Sequence, residues 1–219
     1  MKSFCIIGLG EFGMTLAREL SGSGCQLMAI DVDSEKINEI ADTVTNAVVG
    51  DPTNEGVLRA CGAADYDCAV ICLQTNMNDN ILLSIMLKEL GVKHVISRAS
   101  NEKHKTVLEH LGVDTVVFPE RDTAAKLAYV ISKNNITDYI EFDGYKLVEC
   151  KVPENWNGKS LFDLDIRKKY GVSIIAVRSL EREHSVDVSP NPLRKFKTGE
   201  MISVVGEDKD IDRFLSKLL

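Results

Sequence analysis

The sequence predicts an α/β protein: a Rossmann-like doubly wound parallel sheet, then a crossover helix and a second, smaller α+β domain. Three observations carry that prediction. Up to about residue 118, short β-rich apolar runs alternate with segments of helical periodicity, the pattern of a parallel sheet covered by helices on both faces. The first run leads into Gly8-Leu9-Gly10-Glu11-Phe12-Gly13, and the second ends on Asp31. After Asn134-Asn135 a new pattern begins, in which strands and helices no longer alternate regularly.

In chain order, strands are expected at Ser3 to Gly8, Gln26 to Asp31, Ala47 to Val49, Cys68 to Leu73, His94 to Arg98 and Thr115 to Phe118. Helices are expected between them, near Phe12 to Ser21, Ser34 to Ala41, Asn54 to Ala60, Asn78 to Leu90 and Glu102 to Leu111, with Gly24, Gly62, Gly91 and Gly112 near their stops. Leu90-Gly91-Val92 and Leu111-Gly112-Val113 read as equivalent helix-to-strand turns. Asp122 to Lys133 spaces Ala124, Ala125, Leu127, Ala128 and Ile131 as a linking helix. Beyond it, Tyr139 to Phe142, Tyr145 to Val152, Ser173 to Ser179 and Met201 to Val205 read as strands, and Leu161 to Tyr170 and Asp208 to Leu219 as helices. The expected division is residues 1–120 for nucleotide binding, 121–135 for the crossover helix and 136–219 for a regulatory domain. A linker this short and poor in Gly, Ser and Pro predicts coupled domains.

Composition narrows the function. The 219 residues are 44% hydrophobic and 27% charged with 5 prolines, enough apolar content for a packed core. A net charge of -7 disfavours nonspecific attraction to nucleic acid or anionic lipid. Apolar runs such as Ala69 to Leu73 and Ile81 to Leu87 fall far short of the ~20 residues of a membrane span. The short apolar start is no signal peptide, so a cytosolic protein is expected. Six scattered cysteines without a CxxC pair read as buried thiols, and four histidines without zinc-ligand spacing predict no transition-metal site.

The glycine turn is the informative motif. Alone it is a weak signal, but here it follows a strand, opens a helix and precedes an acid at the end of the next strand. Gly8 permits the tight turn, Gly10 lets the backbone approach a pyrophosphate, and Gly13 lets the helix pack against the sheet. The first N–H groups of that helix then face the anion. Asp31 stands where a carboxylate accepts hydrogen bonds from ribose hydroxyls, and its charge disfavours the 2′-phosphate of NADP. The competing reading is an empty turn, with Asp31 or Asp33 capping the helix at Ser34. Asp51, near Thr53, accepts from an adenine amino group or caps the next helix. Arg98 contacts a phosphate or is a solvated surface arginine. Glu120 helps hold a divalent cation or favours a helix start.

Taken with Ala29-Ile30-Asp31-Val32-Asp33, Val49-Gly50-Asp51-Pro52-Thr53, Leu108 to Asp114 and Phe118-Pro119-Glu120, the turn resembles the RCK (regulator of potassium conductance) family. The likeness is to the regulatory subunits of Trk/Ktr-type bacterial potassium uptake systems and spans nearly the whole chain. It implies a non-enzymatic gate: the chain forms dimers, dimers form a tetrameric or octameric ring, and the ring docks on a membrane potassium-translocating subunit at the inner face of the cell membrane. The implied ligands are ATP, ADP, AMP or NAD(H), held by Gly8, Gly10, Glu11, Phe12, Gly13, Asp31, Asp33, Asp51, Thr53 and Arg98. The family also places a carboxylate at the position of Glu120, where Mg or Ca can bind. Many Ktr-type members carry arginine where this chain has Glu11, and a carboxylate there repels a γ-phosphate, which favours ADP, AMP or NAD(H) over ATP.

In the second domain, Ser160 to Arg167, Val172 to Val177 and Ser189 to Pro192 resemble the segments with which some relatives bind cyclic di-AMP. The likeness implies phosphate pairing by Arg167 supported by Asp165, and bases held by Leu161, Phe162, Ile174 and Pro190. The alternative is an ordinary dimer core with Arg167 paired to Asp163 or Asp165. An NAD-dependent oxidoreductase shares the glycine fingerprint. Against it, the last 85 or so residues hold one histidine, His184, and neither GxSxG nor a Walker motif occurs.

Overall fold

The computed structural model describes residues 1–73, 77–133, 135–179 and 186–218. The chain divides into two compact units, Met1–Glu120 and Arg121–Leu219.

The first unit holds six strands: β1 (Ser3–Ile7), β2 (Gln26–Asp31), β3 (Asn46–Val49), β4 (Cys68–Ile71), β5 (Val95–Arg98) and β6 (Thr115–Val117). All pair in parallel, in the order β3-β2-β1-β4-β5-β6. Because strand side chains alternate between faces, β1 divides its residues between two cores. Cys5 and Ile7 pack with Leu58, Leu83, Met86 and Leu108, from α3 (Glu55–Ala60), α4 (Met77–Glu89) and α5 (Glu102–His110). Ile6 packs on the other face with Met14 and Ala17 of α1 (Glu11–Gly22) and Ile37 and Ile40 of α2 (Ser34–Ile40). A strand buried on both faces must be apolar at every position, which is why Phe4-Cys5-Ile6-Ile7 does not alternate with polar residues. The chain winds outward from β1 to β3 and returns to β4 beside β1. The order therefore reverses next to the glycine turn, the place where open sheets leave a crevice.

α6 (Pro119–Ser132) begins three residues before the expected start, because proline is well suited to the first helical position, and none of its residues is fully buried.

The second unit forms an antiparallel sheet, β10-β9-β11-β8-β7, from β7 (Ile136–Phe142), β8 (Tyr145–Lys151), β9 (Ser173–Arg178), β10 (Val186–Val188) and β11 (Met201–Glu207). Asp143 and Gly144 both take positive φ, 47° and 79°, which suits the two-residue hairpin joining β7 to β8. One face is covered by α9 (Asp208–Ser216), whose Ile211, Phe214 and Leu215 join Val148, Trp156, Ile202 and Val204 in a single core.

Two features here differ from expectation. The segment Leu161 to Tyr170 is two short helices, α7 (Leu161–Leu164) and α8 (Ile166–Tyr170), broken by Asp165 at φ 47°. β10 was not expected as a strand, since its three residues gain their conformation from pairing with β9. His184 lies outside the described residues.

Candidate functional site

The glycine turn is held by its own backbone and by Asp31. Gly8 sits at φ +96°, and a Cβ on it would meet Leu73 Cδ2 at 2.7 Å. A Cβ on Gly13 would lie 2.0 Å from the Gly8 carbonyl oxygen and 3.1 Å from Cys72 Cβ, so glycine is required there first by the turn and only second by the sheet. Gly10 is the N-cap of α1 in extended conformation with no side-chain cap, whereas Asp33, Asn54 and Asn101 cap α2, α3 and α5. The first N–H groups of α1 thus keep their donor capacity for an anion.

Asp31 is only 7% exposed. Its Oδ2 accepts from Leu9 N–H at 2.6 Å and its Oδ1 from Asp33 N–H at 2.9 Å. One carboxylate therefore ties the end of β2 to the middle of the turn, and each oxygen keeps a lone pair for a further donor. The helix-capping alternative belongs to Asp33, whose Oδ1 accepts from Glu35 N–H at 2.9 Å.

A cavity of about 150 Å³ opens beside the turn, lined by Gly8, Ile30, Asp31, Val32, Asp51, Pro52, Thr53, Leu73 and Asp79. Asp51 accepts from the Thr53 hydroxyl at 2.7 Å and its N–H at 2.9 Å, and these bonds hold its carboxyl below the usual range. Asn54, not Asp51, caps α3. Asp79, in the first turn of α4, brings a third carboxylate to the wall and was not singled out from the sequence. Its one sequence signal is position, in the first turn of the helix that follows β4. Gln74, Thr75 and Asn76 lie outside the described residues.

On the α1 side of the sheet, Glu11 is exposed at the first position of α1, and Phe12 is half-buried. Arg98, expected as a phosphate contact or a solvated arginine, is buried at the end of β5. Its guanidinium lies 5.8 Å from the centre of the Phe12 ring and is paired with Glu120. Asn80 donates to the carbonyls of Leu73 at 3.2 Å and Arg98 at 3.0 Å, tying the ends of β4 and β5 together. Glu120 therefore stands as a single carboxylate paired with a guanidinium. Among the described residues, no group of three or more His, Cys, Asp or Glu side chains could hold a metal ion.

In the second unit a cleft of about 340 Å³ is lined by Leu161, Asp165, Ile166, Arg167, Val172, Ser173, Ile174, Pro190 and Pro192. It gathers the expected set except Phe162, which is 73% exposed and does not line it. Asp163 is committed to the capping box of α7, accepting from Ser160 N–H and hydroxyl. Arg167 is exposed and has no ion pair among the described residues, so neither acid expected to pair with it does so.

Cys5, Cys68, Cys72 and Cys150 are buried, while Cys25 and Cys61 are only partly covered. Burial pushes the Cys68 thiol up to about 11 and those of Cys72 and Cys150 to about 12, so they stay protonated and unreactive. No helix among the described residues is long and apolar enough to cross a membrane.

Sheet order, glycine turn and acid define the class: a dinucleotide-binding fold joined to a small antiparallel domain. Residues 4–119 match the TrkA-N domain and residues 147–219 the TrkA-C domain. The chain belongs to this TrkA-N/TrkA-C family, the RCK-domain proteins of Ktr- and Trk-type potassium uptake systems. It is 39% identical over 219 residues to the Ktr system potassium uptake protein C of Bacillus subtilis, covering 100% of this chain and 98% of that one. It is 33% identical over 214 residues to potassium uptake protein A of the same organism, covering 97% and 95%. Among solved structures, the NAD(P)-binding domain of an exopolyphosphatase-related protein from Archaeoglobus fulgidus superposes with a TM-score of 0.53 at 26% identity, over 60% of this chain and 98% of that one. The GsuK channel bound to NAD gives 0.53 at 21% identity, over 100% of this chain and 38% of that one, and shows the fold alone.

Proposed function

We propose that this chain is a non-enzymatic, nucleotide-sensing regulatory subunit that controls a membrane potassium-translocating protein. The observation that supports the reading best is the buried Asp31 carboxylate beside an uncapped helix start. An adenine nucleotide lays its phosphates on the N–H groups of α1 and its ribose hydroxyls against Asp31, and its base enters the crevice beside Asp51 and Thr53. Glu11, at the start of α1, adds a negative charge where a third phosphate would come closest, so ADP, AMP or NAD(H) is preferred over ATP. The chain assembles through dimers into a tetrameric or octameric ring at the inner face of the membrane. Ligands act on the partner to the extent that they bind two ring shapes with different affinity.

A second ligand is favoured by one observation in the C-terminal unit. Arg167, without an ion pair among the described residues, flanks a cleft walled by Leu161, Ile174 and Pro190, which suits a phosphate between apolar-stacked bases, as in cyclic di-AMP.

The test is calorimetry with ADP, ATP and NAD on the parent and on Asp31→Ala. Loss of a charged acceptor should weaken ADP and NAD about tenfold or more. Unchanged affinity in that variant sinks the assignment.

A further inference from the structure

Arg98 carries a buried positive charge, its side chain only 8% exposed, while the carboxylate that meets it, Glu120, is 57% exposed. The pair is asymmetric. Glu120 can turn into water at little cost, but Arg98 cannot, and a buried guanidinium without an anion is strongly unfavourable. The Phe12 ring, 5.8 Å away, flanks the guanidinium. Phe12 is the second residue of α1, so its ring links the guanidinium to the first turn of the helix whose N-cap, Gly10, makes no side-chain cap.

We infer that Arg98 reads the phosphate of the bound nucleotide and that Glu120 is its built-in competitor. The inference rests on the nucleotide site proposed above. Glu120 neutralises Arg98 when no phosphate competes for it. A diphosphate arriving at the start of α1 offers the guanidinium a bidentate anion, and Glu120 is displaced. A nucleoside without phosphate has nothing to offer Arg98 and leaves the pair intact. Glu120 is the second residue of α6, most of which belongs to the second unit, so phosphate occupancy is reported at the first turn of the connecting helix.

The experiment compares ADP with adenosine by calorimetry on the parent, Glu120→Gln, Arg98→Gln and the double variant. Removing the competitor in Glu120→Gln should tighten ADP about five- to tenfold and leave adenosine within about twofold. In the Arg98→Gln background the gain should fall below about twofold. If Arg98→Gln fails to fold, Arg98→Lys keeps the charge but loses the fork, and should weaken ADP without moving adenosine. Unchanged ADP affinity in Glu120→Gln overturns the inference, as does an equal gain without Arg98, which would be bare charge repulsion. Equal loss of ADP and adenosine in Arg98→Lys overturns it too. A parent that binds neither compound overturns the crevice itself, a result distinct from binding without coupling.

Discussion

The crevice at Gly8 and the cleft at Arg167 are walled in opposite ways. The first is framed by three carboxylates, Asp31, Asp51 and Asp79; Asp31 and Asp51 hold neighbouring N–H groups, and the turn accepts no side chain at two of its glycines. The second presents an exposed cation, without an ion pair among the described residues, beside apolar side chains, on a segment whose helix is broken at a non-glycine residue. The turn is thus part of what holds its unit together, whereas the exposed Arg167 side chain adds little to the fold, although Ile166 and Val172 of the same cleft belong to the core. Changes at the turn should cost stability and binding together, and loss of the Arg167 side chain binding alone.

The largest expected effect is at Gly13. A methyl group 2.0 Å from the Gly8 carbonyl has no flexible side chain to displace, so the main chain must move. Gly13→Ala should lower unfolding free energy by about 3 kcal/mol, the upper range of overpacking. A loss under about 1 kcal/mol in urea denaturation would mean that the turn is pliable and the contrast false.

The same contrast predicts a different outcome at Arg167. Because its guanidinium is exposed and makes no ion pair among the described residues, Arg167→Ala should leave stability within about 0.5 kcal/mol. It should still weaken cyclic di-AMP about tenfold, the cost of one charged hydrogen-bonding group. Phe162→Ala, outside the cleft wall, should not weaken it. An equal loss at Phe162 would show that the described cleft is not where the ligand sits.

The two sites also differ in how they were written in the sequence. Gly8, Gly10, Gly13 and Asp31 were legible because local spacing fixes them: one strand, one turn and the next strand determine where each lies. Asp79 was not, since it belongs to the site only through the return of the chain to β4 beside β1. The Arg98–Glu120 pair spans 22 positions and becomes visible only when β5 and β6 are known to be neighbours. In the C-terminal unit, the break at Asp165 left no mark, because Leu161 to Tyr170 contains neither glycine nor proline and its apolar spacing continues across the break. β10 is too short to show a period and exists through its pairing with β9.

The smallest expected effect is that of Asp165→Gly, at a residue whose backbone takes a left-handed conformation with an L side chain, the reverse of Gly13. Its side chain makes no capping bond to α8, so the residue's contribution to folding lies in its backbone. Left-handed geometry costs an ordinary L residue about 1–2 kcal/mol and aspartate somewhat less. Glycine removes that cost, but it also loosens the unfolded chain, which offsets about 0.4–1 kcal/mol. Asp165→Gly should therefore be neutral to slightly stabilising, within about 0.5 kcal/mol, while Asp165→Val, β-branched at positive φ, should cost about 1–2 kcal/mol. Denaturation midpoints on the two variants read the difference directly. If valine is tolerated as well as glycine, the break between α7 and α8 imposes no left-handed requirement, and the cleft wall is a continuous helix.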